Sequence, residues 1–188
     1  MIEAFARALE QFPSALLILA PRHSERFSEV ADLLRSGGIP FCRRSEAQFL
    51  PDNIAGTVIL LDSVGELAAA YDLADVAFVG GSLVPKGGHN ILEPAYFGKP
   101  IIVGAHNENF RDIVALFRRA GAVVEADRNS FAADLVALLN DPNRRAELGR
   151  RAAALIRSQQ GATEHTFQAL TPLLASSPAE LAVERGAR

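Results

Sequence analysis

A chain of 188 residues with 49% hydrophobic and 22% charged side chains can bury one large core, and its composition excludes a disordered or fibrous protein. A net charge of −3 with no basic block excludes electrostatic capture of nucleic acid, and the single Cys42 excludes an internal disulfide or a multi-cysteine metal site. No apolar run approaches a transmembrane length and the opening residues lack a signal-peptide layout, so a soluble chain in a reducing, cytoplasmic compartment is expected.

The chain opens almost directly in an amphipathic helix, MIEAFARALEQF, without a leading strand or cap, as a cut into a longer protein would. ALLILA (15–20) follows Pro13 and reads as a buried strand. From Ser24 to Arg35 the residues Phe27, Val30, Ala31 and Leu34 share one helical face, and Gly37 supplies the stop. IPFCR (39–43) is a weaker strand and TVILL (57–61) a strong one. SVGE (63–66) has the spacing of a capping box and predicts a helix through about Leu73. DVAFVG (75–80) and KPIIVG (99–104) are further strands, separated by a short helix near 90–97 that ends at Gly98. Asn109 to Ala120 is helical, AVVEA (122–126) is a last strand, and Ser130 to Leu139 is an amphipathic helix. Asp141 and Pro142 are a cap and a first-turn proline for a helix to about Gly161. Helix continues after Thr163, and the tail from about Ser176 (176–188) is expected to be disordered.

About six near-continuously apolar strands separated by helices describe an α/β fold with a Rossmann-like, doubly wound parallel sheet. Ligands of such folds bind outside the carboxyl ends of the strands, so the loops after each strand are the place to look.

After the first strand comes Pro21-Arg22-His23. A guanidinium there suits a phosphate or carboxylate, although most arginines are simply solvated. After the fourth strand comes GGSLVPKGGHNILEP, with Gly80, Gly81, Gly87 and Gly88 in close succession. Neither the GK[ST] ending of a P-loop nor the G-x-G-x-x-G spacing of a dinucleotide site is present. Gly87 and Gly88 leave their amides open, and His89 and Asn90 stand at a helix start, where free N–H groups favour an anion such as phosphate. Glu93 reads equally as a capping partner of Asn90 or as an acceptor for ribose hydroxyls. His89 by itself is an ordinary polar loop residue, and only its neighbours raise it. After the fifth strand, GAHNENFRD (104–112) offers His106, Asn107, Glu108 and Asn109 for sugar hydroxyls, with Asn109 equally suited to cap the next helix. No ligand spacing supports a metal site from His89, His106 and Glu93, and Ser82 lacks the elbow of a nucleophile.

LLILAPRHSERF, RRSE and FVGGSLVPKGGHNILEPAYFGKPIIVGAHNENF together resemble the C-terminal half of the 3-deoxy-D-manno-octulosonic acid (Kdo) transferases, across roughly residues 1–175. The resemblance implies the C-terminal half of a two-Rossmann-domain (GT-B) glycosyltransferase. This half binds the nucleotide sugar CMP-Kdo, and no cofactor is implied. It implies that Arg22 and the turn Gly87, Gly88, His89, Asn90 hold the CMP phosphate. Glu93 then faces the ribose, Asn107 and Asn109 lie toward the Kdo moiety, and Gly80, Gly81 and Ser82 shape the cleft wall. An N-terminal domain would carry the membrane anchor, the lipid A precursor and the general base, at the cytoplasmic face of the inner membrane. No catalytic residue is therefore expected in this chain, which alone would bind donor and transfer nothing. Two readings stay open beside it: a donor domain for another nucleotide sugar such as a UDP-hexosamine, and a non-catalytic binding module on a Rossmann scaffold.

Overall fold

The computed structural model describes residues 1–49, 53–159 and Thr171. The chain divides into two compact units, Met1–Ala153 and Ala154–Arg188, and both sheets lie in the first. The expected domain end near 175, the helix end at Gly161 and the tail from Ser176 lie outside the described residues.

Thirteen regular elements follow in chain order among the described residues: α1 (Ile2–Gln11), β1 (Leu17–Leu19), α2 (Arg26–Ser36), β2 (Phe41–Arg43), β3 (Val58–Leu60), α3 (Leu67–Leu73), β4 (Ala77–Phe78), α4 (Leu92–Tyr96), β5 (Ile101–Val103), α5 (Arg111–Arg119), β6 (Val124–Glu125), α6 (Phe131–Asn140) and α7 (Pro142–Gln159). Short 3₁₀ turns occupy Arg44–Phe49 and Glu108–Phe110. The six expected strands are all present and every pairing is parallel. Their hydrogen-bond ladders form two three-stranded sheets, ordered β1-β3-β2 and β4-β5-β6, rather than one continuous ladder. Apolar runs of five or six residues mark buried extended chain. Ladder bonds persist only where two such segments run side by side, which here is two or three residues.

Each sheet has its own apolar core. Phe5, Leu34 and Val58 pack with Leu9, Leu17, Leu19, Val30 and Ile39 around the first. Ala4, Ile102, Ala126, Phe131, Leu138 and Leu148 pack with Phe78 and Val124 around the second. Adjacent residues Ala4 and Phe5 therefore send α1 into both cores, and α1 packs along α6. Val58, Leu60 and all of Ile101–Val103 are fully removed from water, while Ile59 is half-buried, so β5 is the strand most fully covered on both faces.

Helix ends follow local chemistry in some places and tertiary contacts in others. Asp141 accepts the Arg144 amide at 2.8 Å, so it caps α7 as the Asp-Pro pair predicts. SVGE does not form a capping box. Ser63 bonds the Glu66 carboxylate itself, Arg44 holds the same carboxylate at 2.7 Å, and α3 begins only at Leu67. Asn109 does not cap α5 either, because the 3₁₀ turn Glu108–Phe110 intervenes.

Candidate functional site

The loops that leave β1, β4 and β5 converge. Arg22 lies three residues beyond β1, and its Nη1 donates to Nδ1 of His89, 67 positions later, at 3.0 Å. An imidazole nitrogen that accepts a guanidinium proton carries none of its own, so the ring proton resides on Nε2. Burial and the Arg22 charge hold the His89 pKa below its ordinary value, against a weaker opposing pull from the Gly88 backbone. His89 is thus a neutral donor beside an exposed cation.

The glycines exist for close approach. At Gly81 (φ +73°) an added Cβ would lie 3.1 Å from His89 Nε2, so the ring rests on bare backbone. The Gly88 amide donates to the Gly81 carbonyl at 3.1 Å and closes the loop. At Gly88 (φ +70°) an added Cβ would meet Asn107 Oδ1 at 2.9 Å, and one at Gly87 would sit 2.3 Å from Asn109 Nδ2. Side chains at these positions would push the 104–110 loop away from the turn. Among the described residues, no acceptor within the chain takes the amides of His89 and Asn90.

Two of the polar residues singled out in the sequence are braces. Ser82 is fully buried. Its hydroxyl donates to the Val79 carbonyl at 2.6 Å and accepts the Gly104 amide at 2.8 Å, while its carbonyl accepts the His106 amide at 2.9 Å. Asn107, expected to lie toward the sugar, is buried against Gly88 and donates to the Gly104 carbonyl at 2.5 Å. The space beneath Gly88 admits it. Asn109 remains exposed, with its amide on the Gly87 carbonyl at 3.0 Å and its Nδ2 3.5 Å from the Lys86 carbonyl.

Asn90 and Glu93 do pair, but not as a capping box. Asn90 Oδ1 accepts the Leu92 amide at 3.0 Å, and its Nδ2 donates to Glu93 Oε1 at 3.3 Å. The second carboxylate oxygen of Glu93 has no hydrogen-bond partner among the described residues. Tyr71 of α3 stands close enough that burial and the Glu93 charge push its phenol up to about 12. Sequence reading missed Tyr71, since one tyrosine in LAAAYDL carries no signal until α3 is seen packed on α4. It also missed Gly104, where an added Cβ would meet the Ser82 carbonyl at 2.1 Å. A glycine directly after a buried strand was the available clue.

Among the described residues, no three histidine, cysteine, aspartate or glutamate side chains gather to hold a metal ion. None of the described helices is long and apolar enough to cross a membrane.

The fold is α/β with parallel strands and a glycine-built, cation-flanked cradle at the strand ends, and residues 1–155 match the family model for glycosyl transferases group 1. The chain belongs to that family. More narrowly, it is 39% identical over 176 residues to the 3-deoxy-D-manno-octulosonic acid transferase of Haemophilus influenzae, a match covering 93% of this chain and 41% of the relative. It is likewise 39% identical over 159 residues to the enzyme of that name from Bordetella pertussis, covering 84% of this chain and 37% of that one. The chain therefore spans about two fifths of the length of these curated relatives. Among solved structures, the C-terminal CMP-Kdo binding domain of WaaA from Acinetobacter baumannii superposes with a TM-score of 0.74 at 37% identity, over 82% of this chain and 80% of that one. In sequence and fold the chain thus resembles the C-terminal part of a Kdo transferase, with the Rossmann-like α/β fold of such a domain.

Proposed function

We propose that this chain binds CMP-Kdo as the donor half of an enzyme that transfers Kdo to a lipid A precursor. The observation that carries the reading is the meeting of Arg22 with His89 over the Gly81 and Gly87-Gly88 backbone, beside the open amides of His89 and Asn90. That is a compact set of donors around one small space, and it suits a phosphate. The similar domain from Acinetobacter baumannii is a CMP-Kdo binding domain, which supports the same ligand here.

In this reading Arg22, the Nε2–H of His89 and the amides of His89 and Asn90 hold the phosphate. Glu93, oriented by Asn90, offers its second oxygen to a ribose hydroxyl. Asn109 faces the sugar, while Asn107 and Ser82 keep the loops at the right separation, and Gly80 and Gly81 form the wall beneath His89. In the transfer, the acceptor hydroxyl oxygen bonds to the anomeric carbon of Kdo while the bond from that carbon to the phosphate oxygen breaks, and the phosphate oxygen leaves with the electron pair. Donors already aimed at that oxygen stabilise the charge as it develops. The proton of the acceptor hydroxyl goes to a general base supplied by the remaining part of the enzyme, at the cytoplasmic face of the inner membrane.

Calorimetric titration with CMP, UMP and UDP tests the reading. Preference for CMP is expected. Tighter binding of UDP would indicate a donor domain for a uridine nucleotide sugar. Affinity for none of the three would favour a non-catalytic module.

A further inference from the structure

The RRSE segment at the end of β2 (Arg43, Arg44, Ser45, Glu46) takes no part in the site described above, yet it makes a polar network at the edge of the first sheet. Asp62, one residue beyond Leu61, has a side chain only 3% exposed. It accepts the Ser45 amide at 2.8 Å and the Ser45 hydroxyl at 2.7 Å, with Arg43 Nη1 at 3.5 Å. Burial pushes its carboxyl up, but these donors and the Arg43 charge outweigh that and hold it below the ordinary aspartate value. Beyond Asp62, Arg44 donates to Glu66 Oε1 at 2.7 Å and Ser63 bonds the other Glu66 oxygen. Between these anchors the chain turns at Gly65 (φ +88°), with Val64 90% exposed at the tip.

Topology gives this loop its neighbour. β1 and β3 run in register to Leu19 and Leu60, and the Leu61 amide still bonds the Leu19 carbonyl at 2.9 Å. The loop Ser63–Glu66 therefore leaves the sheet beside the segment that carries Arg22. β2 flanks β3 on the other side, with Arg43 opposite Leu60, so the RRSE segment can hold the loop from behind.

We infer that Arg44, acting through Glu66 and Ser63, is a positioning residue that fixes the Ser63–Glu66 loop as a wall of the site built on Arg22. The inference rests on the donor-site reading above. Asp62 with Ser45 anchors the base of the loop. Arg44 with Glu66 anchors its far end, and among the described residues no side chain from outside the loop other than Arg44 is bonded to Glu66. Both partners of the Arg44 pair are partly exposed, so the pair adds little to global stability. Its effect is to pre-organise a loop that otherwise loses entropy on binding ligand.

The test combines CMP titration, thermal unfolding and amide hydrogen exchange on wild type, Arg44→Met, Glu66→Gln and the double variant. Arg44→Met is expected to weaken CMP about fivefold, to shift Tm by no more than about 2 °C, and to speed exchange at residues 63–66. The double variant should bind no worse than the weaker single variant, because the two residues act as one unit. Unchanged CMP affinity in Arg44→Met would overturn the inference, as would additive losses, which would make Arg44 a direct contact. If wild type fails to bind CMP, the donor-site reading falls. Exchange at 63–66 that Arg44→Met leaves unchanged overturns the loop-holding role whether or not CMP binds.

Discussion

At the scale of single residues, the proposed site turns on the pairing of His89 with Arg22, and their coupling can be measured directly. Burial is the larger cause of the lowered His89 pKa and Arg22 the next. As pH falls through the ordinary value of 6.5, the unfolded chain takes up the proton first. The stability contributed by neutral His89 is therefore full above about 6.5 and is lost as pH drops toward the folded value. An NMR titration of the His89 ring is expected to give a midpoint below 6.5. In Arg22→Met that midpoint should rise without passing 6.5, because burial remains. A midpoint indifferent to Arg22 would contradict the pairing. This part was half legible in the sequence. Glycines ahead of HN suggested an anion site, but nothing local shows that a ring 67 residues away accepts from Arg22. The same limit hid the inward turn of Asn107, which depends on the room under Gly88.

At the scale of elements, α7 packs on the turn after α4 through two glycines. An added Cβ at Gly149 would lie 1.8 Å from the Gly98 carbonyl. Helix propensity alone predicts that Gly149→Ala stabilises by about 1 kcal/mol, whereas forcing the helix off the turn costs about 1–3 kcal/mol. The contact is backbone on both sides and has no flexible side chain to yield, so net destabilisation is expected in urea unfolding. A variant at least as stable as wild type would show that the helix moves freely. The sign of this effect cannot be read from LGRRAA, where a helical glycine looks like a simple defect. Strand positions and the Asp141 cap were legible because apolar runs and cap chemistry are local. The false capping box at SVGE was not, because Glu66 is claimed by Arg44 from another strand end.

At the scale of the whole molecule, the chain spans about two fifths of its curated relatives, and the proposed mechanism places the general base in the remainder. Incubation of this chain with CMP-Kdo and a lipid A precursor is expected to release no Kdo-modified product, even where the donor binds. Transfer by the chain alone would mean that a base resides within it. The fold class was legible because alternating buried strands and helices leave few alternatives, while the division into two three-stranded ladders depends on how far neighbouring strands stay alongside. The central claim is that the Arg22–His89 cradle is the donor phosphate site. It is tested most directly by titrating CMP into wild type and His89→Ala under one buffer. Wild type is expected to bind, and the variant to lose at least about tenfold in affinity while still unfolding cooperatively. Equal affinity in the two proteins would place the nucleotide elsewhere.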